Sequence, residues 1–246
     1  MKTLCLALWL AAAPLAADPA PAPLPAAEVP ARPPSKLSDL YKVFTLAARD
    51  ALRADVQAWP VRILGRSWEL VKGGVFPEVE FTLKPFETQG LKFEKADLLF
   101  RHLVVDTDAL QRWQVKLKDV REVQTRLVFT LRSLAMKLSA AQGQDLKLQA
   151  DLDAQQLLLS GPGRFLFIPC QVEARCEPRW DDQAKTLTLA PVEQRFGGHR
   201  VPRWLWWLGR SPAPAQPVLD LGFSWVPFNI QEVHVGWDRV NLSTNW

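Results

Sequence analysis

The chain is short of the side chains on which most enzyme chemistry runs. Its 246 residues include three histidines, three cysteines and one tyrosine. His102, His199 and His234 have no second histidine at HxxxH spacing, and the cysteines form no CxxC pair, so no metal site is expected. His102, between Phe100 and Val104 on an alternating stretch, reads as a hydrogen-bonded core residue. His199 follows Gly197-Gly198 in a turn, and His234 alternates outward between Val233 and Val235. No GxSxG elbow raises a serine nucleophile, and no glycine-rich loop precedes a helix to cradle phosphates. The acidic pairs Asp106/Asp108 and Asp181/Asp182 fall at the ends of predicted strands, where aspartate builds turns, and Asp151/Asp153 is a third such pair. The expectation is a protein that is not an enzyme, with no catalytic residue and no cofactor.

Long apolar runs are also missing, apart from one at the start. MKTLCLALWLAAAPLAADPAP has Lys2, an apolar run from Thr3 to Ala13 and then small residues, the layout of a secretory signal peptide. The run is about 11 residues, against roughly 20 for a membrane span. Residues 1–17 therefore read as a signal peptide and residues 18–34, rich in Pro and Ala, as an extended tether. Residues 35–246 read as one folded domain, exported and periplasmic or associated with the cell envelope. The formal charge of +4 is a mild excess without the dense Lys/Arg clusters of a nucleic-acid binder, so no nucleic-acid partner is expected.

Two cysteines remain in the folded part, in FIPCQVEARCEPRW. Leu166, Ile168, Cys170, Val172, Ala174 and Cys176 alternate with more polar residues, as on one face of a strand. Six residues of strand span roughly 20 Å, far beyond the reach of a disulfide, so both are expected as buried free thiols.

What the sequence does hold is alternation. SKLSDLYKVFTLAARDALRADVQ places Leu37, Leu40, Tyr41, Phe44, Ala48, Leu52 and Val56 at helical spacing, which predicts a long amphipathic helix over 36–57. Beyond it the period becomes two: Val79, Phe81 and Leu83; Trp113, Val115 and Leu117; Val123, Thr125, Leu127, Phe129 and Leu131; Leu146, Leu148, Ala150 and Leu152. Further strands are predicted at 61–71, 91–105, 155–160, 164–178, 185–190 and 229–242, with GPGR at 161–164 as a hairpin turn and short helices at 132–140 and 201–209. Strands with one wet and one buried face favour antiparallel pairing, and the class is α+β. One helix covers about two strands. The helices are too few, so the sheet must curl, close on itself, pair with another subunit or leave apolar face for a ligand such as an acyl chain.

Three segments carry a resemblance: VEFTLKPFETQGLKFEKADLLFRHLVVD; GPGRFLFIPCQVEARCEPRWDDQAKTLTLAPVEQRFGGHRVP; and PVLDLGFSWVPFNIQEVHVGWDRVNL. Their order and spacing resemble the LmeA-like phospholipid-binding proteins, a bacterial cell-envelope family similar in shape to tubular lipid-binding proteins. The resemblance implies a binding protein in which a curved, mostly antiparallel sheet wraps one long amphipathic helix and two short helices complete the fold. It implies phospholipid or another acyl lipid as partner, held in an apolar groove between sheet and helix. On that reading Phe44, Leu52, Phe81, Leu83, Phe100, Leu127, Phe129, Leu166 and Ile168 line the groove. The alternative is a non-catalytic structural or assembly protein of the envelope, with a closed core and an aromatic patch for a protein partner.

The densest aromatic cluster is RWLWWLGR. On an α-helical wheel Val201, Trp204, Leu205 and Leu208 share one face, enough to dock the helix on a sheet. Trp206 and Trp207 then point outward among Arg200, Arg203 and Arg210, the composition of a membrane-interface belt in peripheral contact with a lipid surface. The other outcome is that the loop SPAPAQPVLDL covers both indoles, or that they stack on the arginines.

Overall fold

A computed structural model describes residues 33–34, 37–54, 56–57, 62–64, 73–165, 168–208 and 217–244. The expected signal peptide and nearly all of the tether lie outside the described residues.

The first helix, α1 (Leu37–Leu52), buries Leu40, Val43, Phe44, Ala47, Ala48, Ala51 and Leu52, with Asp39 in the first turn and Arg49 in the last to suit the helix dipole. It is shorter than the 36–57 predicted from its spacing. Arg53 turns left-handed at φ 46°, and Ala54 and Val56 continue into the core outside the helix. Strands follow as β1 (Arg62–Leu64), β2 (Val75–Leu83), β3 (Phe86–Thr88) and β4 (Leu91–Val105). After the short helix α2 (Thr107–Gln111) come β5 (Leu117–Thr130), helix α3 (Leu131–Gln142) and β6 (Lys147–Asp151). The chain then forms β7 (Gln156–Phe165), β8 (Ile168–Asp181), β9 (Thr186–Phe196) and β10 (His199–Val201). A 3-10 turn over Arg203–Leu208 precedes β11 (Leu219–Asp220), β12 (Glu232–Val235) and β13 (Arg239–Ser243).

These strands make two antiparallel sheets. The first is ordered β1-β2-β4-β5-β13-β12 with β3 folded back on β4, and the second β10-β9-β8-β7-β6 with β11 on β9. The class is α+β, but the sequence reading of a single curved sheet is corrected to two. The break falls at α3. The Thr130 hydroxyl caps it by accepting from the Ser133 amide at 3.1 Å, and left-handed Gly143 ends it, so the chain leaves the first sheet and starts another.

Three local expectations also change. Residues 113–116, predicted as extended, connect α2 to β5 instead: the Asp106 carboxylate accepts from the Asp108 and Ala109 amides and starts a helical turn before them. GPGR is not a turn but part of β7, paired with Pro169–Val172; a Cβ on Gly161 would meet Leu146 Cδ2 at 2.5 Å, so glycine allows that segment to pass close by. The predicted strand 229–242 is split into a hairpin by the turn at Gly236–Asp238.

The inner faces of both sheets share one core. Phe76, Phe81, Phe100 and Phe129 from the first sheet join Leu157, Leu159, Ala174, Cys176, Leu187 and Leu189 from the second. Rings meet directly: Phe81 stacks on Phe100 at 5.7 Å, and Phe93 meets the edge of Phe129 at 5.5 Å. Each fully buried phenylalanine contributes about 2–3 kcal/mol relative to exposure. A segment without helix or strand, 221–230, completes the cover by burying Leu221, Val226, Phe228 and Ile230. Trp225 donates its indole N–H to the Ala47 carbonyl of α1 at 3.1 Å, and the Arg53 guanidinium lies over the Phe223 ring at 4.1 Å.

Two glutamines at left-handed positions fasten one sheet to the other. Gln89 (φ 51°) bonds both the N–H and the carbonyl of Asp220, and Gln155 (φ 51°) does the same for Val235. Each side-chain amide thus substitutes for a strand neighbour where the ladder has none.

Gly74 offers a test of the backbone geometry. Its φ is 71°, and a Cβ there would sit 2.5 Å from the Val105 carbonyl oxygen, whereas Gly143, at φ 62°, has nothing within 4 Å. Gly74→Ala is expected to cost about 3 kcal/mol or more and Gly143→Ala about 1 kcal/mol, measured by urea unfolding. Equal costs would mean that the close approach of Gly74 to β4 is wrong.

Candidate functional site

Seven of the nine residues expected to line a groove lie together in the main core. Phe44, Leu52, Phe81, Leu83, Phe100, Leu127 and Phe129 are each at most 3% exposed and pack on one another. Leu166 lies outside the described residues. Ile168 is the exception: it is 65% exposed and belongs to neither buried cluster.

That exception follows from the length of β8. Along its inner face Cys176 and Ala174 are in the main core, while Val172 belongs to a second, smaller cluster with Phe196 and Val201, against which Cys170 and Leu205 are half-buried. Two residues beyond Cys170 the strand reaches Ile168, which is mostly exposed. The apolar face of the second sheet therefore runs out past its cover.

The 3-10 turn packs on the same cluster. Its face is not the one given by the α-helical wheel. Val201 belongs to β10, Pro202 restarts the chain, and Leu205 donates its amide to the Pro202 carbonyl at 2.9 Å, a three-residue repeat. Val201 and Leu205 dock as expected, but Trp204 is 72% exposed rather than docked. The side chains of Trp206, Trp207 and Leu208, and Arg210 as a whole, lie outside the described residues.

Arg200 and Arg203 are exposed beside this turn. With Val192, Glu193, Val201 and Pro202 they line a hollow of about 370 Å³. Glu193 accepts from Arg195 at 2.8 Å and lies 3.8 Å from Arg200. The hydrogen bond from Arg195 holds the Glu193 carboxyl below the usual carboxylate range, with the charges of Arg200, Arg195 and Arg175 acting the same way. The second sheet thus leaves Ile168 exposed at one end of β8, while exposed Trp204 directly follows Arg203 at a hollow whose Glu193 is in register with Arg175, seven residues from Ile168. Sequence reasoning found the arginines but missed Trp204 and the hollow; Pro202, which breaks the wheel, was the available signal.

The chemistry-bearing residues remain dispersed. His199 and His234 are exposed as expected, but His102 is exposed rather than in the core. It has φ 50° where the ladder skips Pro77, which has no N–H to offer. Asp106 caps α2, and the Ala109 amide, ahead of the Asp108 amide and Lys118, lowers its pKa. The Asp181 carboxylate accepts from the Gln183 and Ala184 amides in the β8–β9 turn, and Asp182 bonds Lys185 at 2.7 Å, which lowers its pKa. Among the described residues no group of three or more His, Cys, Asp or Glu is placed to hold a metal ion, and no helix is long and apolar enough to cross a membrane. No family model, no curated protein and no solved structure matches this chain.

Cys170 and Cys176 are free, as the spacing along one strand requires, although Cys170 is only half-buried. Burial pushes the Cys176 thiol from 9.0 up to about 12. As pH rises the unfolded chain ionises first, so stability is fully present below about pH 9 and declines toward pH 12. The native protein is expected to react with a maleimide at Cys170 alone. Cys176→Ala should lose less stability than the wild type between pH 8 and 10 in urea titrations, and parallel losses would show that Cys176 does not carry the effect.

Proposed function

We propose that this chain is an exported protein of the cell envelope that binds phospholipid or another acyl-chain lipid and rests peripherally on a membrane surface. The observation that carries the reading is the run-out of the second sheet, an apolar strand face continuing from the core to exposed Ile168; exposed Trp204, which follows Arg203 of the basic hollow, adds to it. Acyl groups and indole share the interfacial zone of a bilayer, and the two guanidinium groups meet an anionic headgroup. Two arginines at about 1 kcal/mol each, plus partial burial of Ile168 and Trp204, give an attraction on the order of 5 kcal/mol, which is weak and reversible.

The LmeA-like resemblance supports the same reading and adds a finer one, in which the first sheet wraps α1 and acyl chains enter between them. That interior route needs Phe44 to part from Phe76, now edge to face at 5.4 Å, and Trp225 to leave Ala47. A second reading is favoured by the closed packing of the seven core residues: a structural or assembly protein whose aromatic end binds another protein. Solvent extraction of the purified mature chain, followed by mass spectrometry, separates the two. Bound lipid is expected on the first reading and none on the second.

The surface contact has its own test. The mature chain is expected to co-sediment with phosphatidylglycerol-rich vesicles, more weakly as salt rises, and Ile168→Ser/Trp204→Ala should reduce affinity about tenfold or more. Undiminished binding by the double variant would remove this end of the second sheet from the proposal.

A further inference from the structure

A second exposed tryptophan has a different setting. Trp237 is 83% exposed at the tip of the β12–β13 hairpin, yet the backbone that presents it is firmly held. Gly236 donates its amide to the Arg239 carbonyl at 2.8 Å, and the Leu131 amide donates to the Asp238 carbonyl at 2.7 Å. Arg239 grips the Asp238 carboxylate at 2.8 and 3.1 Å and lies 3.7 Å from Glu94. On the other side Gln155 bonds both backbone groups of Val235. A large aromatic left in water on a turn fixed from both sides is preorganised for contact, because little ordering remains to be lost on binding.

Beside the indole lies a hollow of about 360 Å³ between the hairpin and the outer face of the second sheet. Leu158 and Ala150 give it an apolar part, and Gln149, Asp151, Asp153 and Arg175 supply the polar groups. Arg175 and Asp151 hold each other at 3.5 Å, and Asp151 also accepts from the Ala154 amide at 3.2 Å. The side chains of Gln149 and Asp153 make no hydrogen bond or ion pair among the described residues.

We propose that this hollow binds a saccharide. A pyranose ring has an apolar C–H face and a rim of hydroxyl groups, each both donor and acceptor. The flat indole matches the face. Carboxylates accept, the guanidinium donates and the Gln149 amide does both, which suits neutral hydroxyl groups. Other ligand classes fit less well. Two carboxylates against one guanidinium disfavour a phosphate or other anion, the guanidinium disfavours a cation, and a hollow with four polar side chains disfavours an acyl chain.

The site lies apart from Ile168. Leu158 and Arg175 border it, whereas Phe165 and Ile168 close the far end of the same strand pair. Seven residues of strand separate them, about 23 Å at about 3.3 Å per residue. Arg175 is also the register partner of Glu193 in the basic hollow, so the saccharide site and that hollow are neighbours on the second sheet.

The test uses the mature chain labelled with nitrogen-15, whose Trp237 indole resonance is assigned by its loss in Trp237→Ala. Cellotriose, maltotriose and chitotriose are titrated separately to about 20 mM, a range suited to a small polar ligand. At least one is expected to shift that resonance to saturation. Asp153→Ala/Gln149→Ala should weaken binding about fivefold or more, and Trp237→Ala should abolish saturation transfer to the sugar while vesicle binding stays at the wild-type level. No saturable shift with any of the three sugars, or transfer undiminished in Trp237→Ala, would overturn the proposal. Failure of vesicle binding in the wild type would count against the lipid reading alone.

Discussion

The long pairing of β4 with β5 makes the rest of the structure necessary. Fifteen- and fourteen-residue strands run antiparallel over most of their length and put Phe93, Leu98, Phe100, Leu127 and Phe129 under cover. Two helices of ordinary length cannot shade a sheet that wide. The remainder is supplied by a second sheet and by the irregular segment 221–230, which reaches the core through Val226, Phe228 and Trp225. A segment of that kind has no ladder to satisfy its backbone, so its fixed contacts matter: Trp225 to Ala47, and the amide pairs of Gln89 and Gln155 that join the two sheets.

The second sheet inherits the opposite problem. Its strands are as long as those of the first, but the shared core covers only part of β8. Val172, Phe196 and Val201 form a small cluster where the main core ends, and Ile168 lies beyond any cover. The outer face of the same sheet is wet and salt-bridged: Arg175 sits opposite Glu193 and Glu173 opposite Arg195. The same strand thus carries a charged outer face opposite β9 and ends, five to seven residues further on, in exposed Ile168. An ordinary core residue and an interfacial one differ there only in how far along the strand they fall.

That difference explains how much was legible in the residues alone. Alternation placed β4 at its observed bounds, 91–105, and identified the buried faces of β2 and β5, because a period of two depends on local sequence only. The short supply of helix implied that the sheet needs cover from something other than helices, and a second sheet supplies most of it. It could not say where, since that depends on which long-range pieces close over the core, and residues 221–230 carry no periodic signal. The same limit applies to Trp204. An α-helical wheel assumes a helix continuing from Val201, but Pro202 ended that register, and the observed 3-10 turn repeats every three residues. His102 reads as core from its neighbours and is exposed because of Pro77, a residue on another strand.

The two exposed tryptophans show why exposure alone is a poor guide. Trp204 belongs to a surface whose apolar character continues inward through Leu205, Val201 and Val172, so a nonpolar partner would extend a face that the fold already has. Trp237 borders a hollow whose lining alternates polar Gln149, Asp151, Asp153 and Arg175 with apolar Ala150, Leu152 and Leu158. A large indole left in water forgoes about 2–3 kcal/mol of burial in either place. Its surroundings decide what could recover that energy: around Trp204, hydrocarbon bordered by guanidinium groups; around Trp237, a ligand with one apolar face and a polar rim. The strand pair β7–β8, in register from Leu157 with Cys176 to Phe165 with Ile168, carries the exposed Ile168 away from the Trp237 hollow, so its length is a functional dimension as well as a packing one.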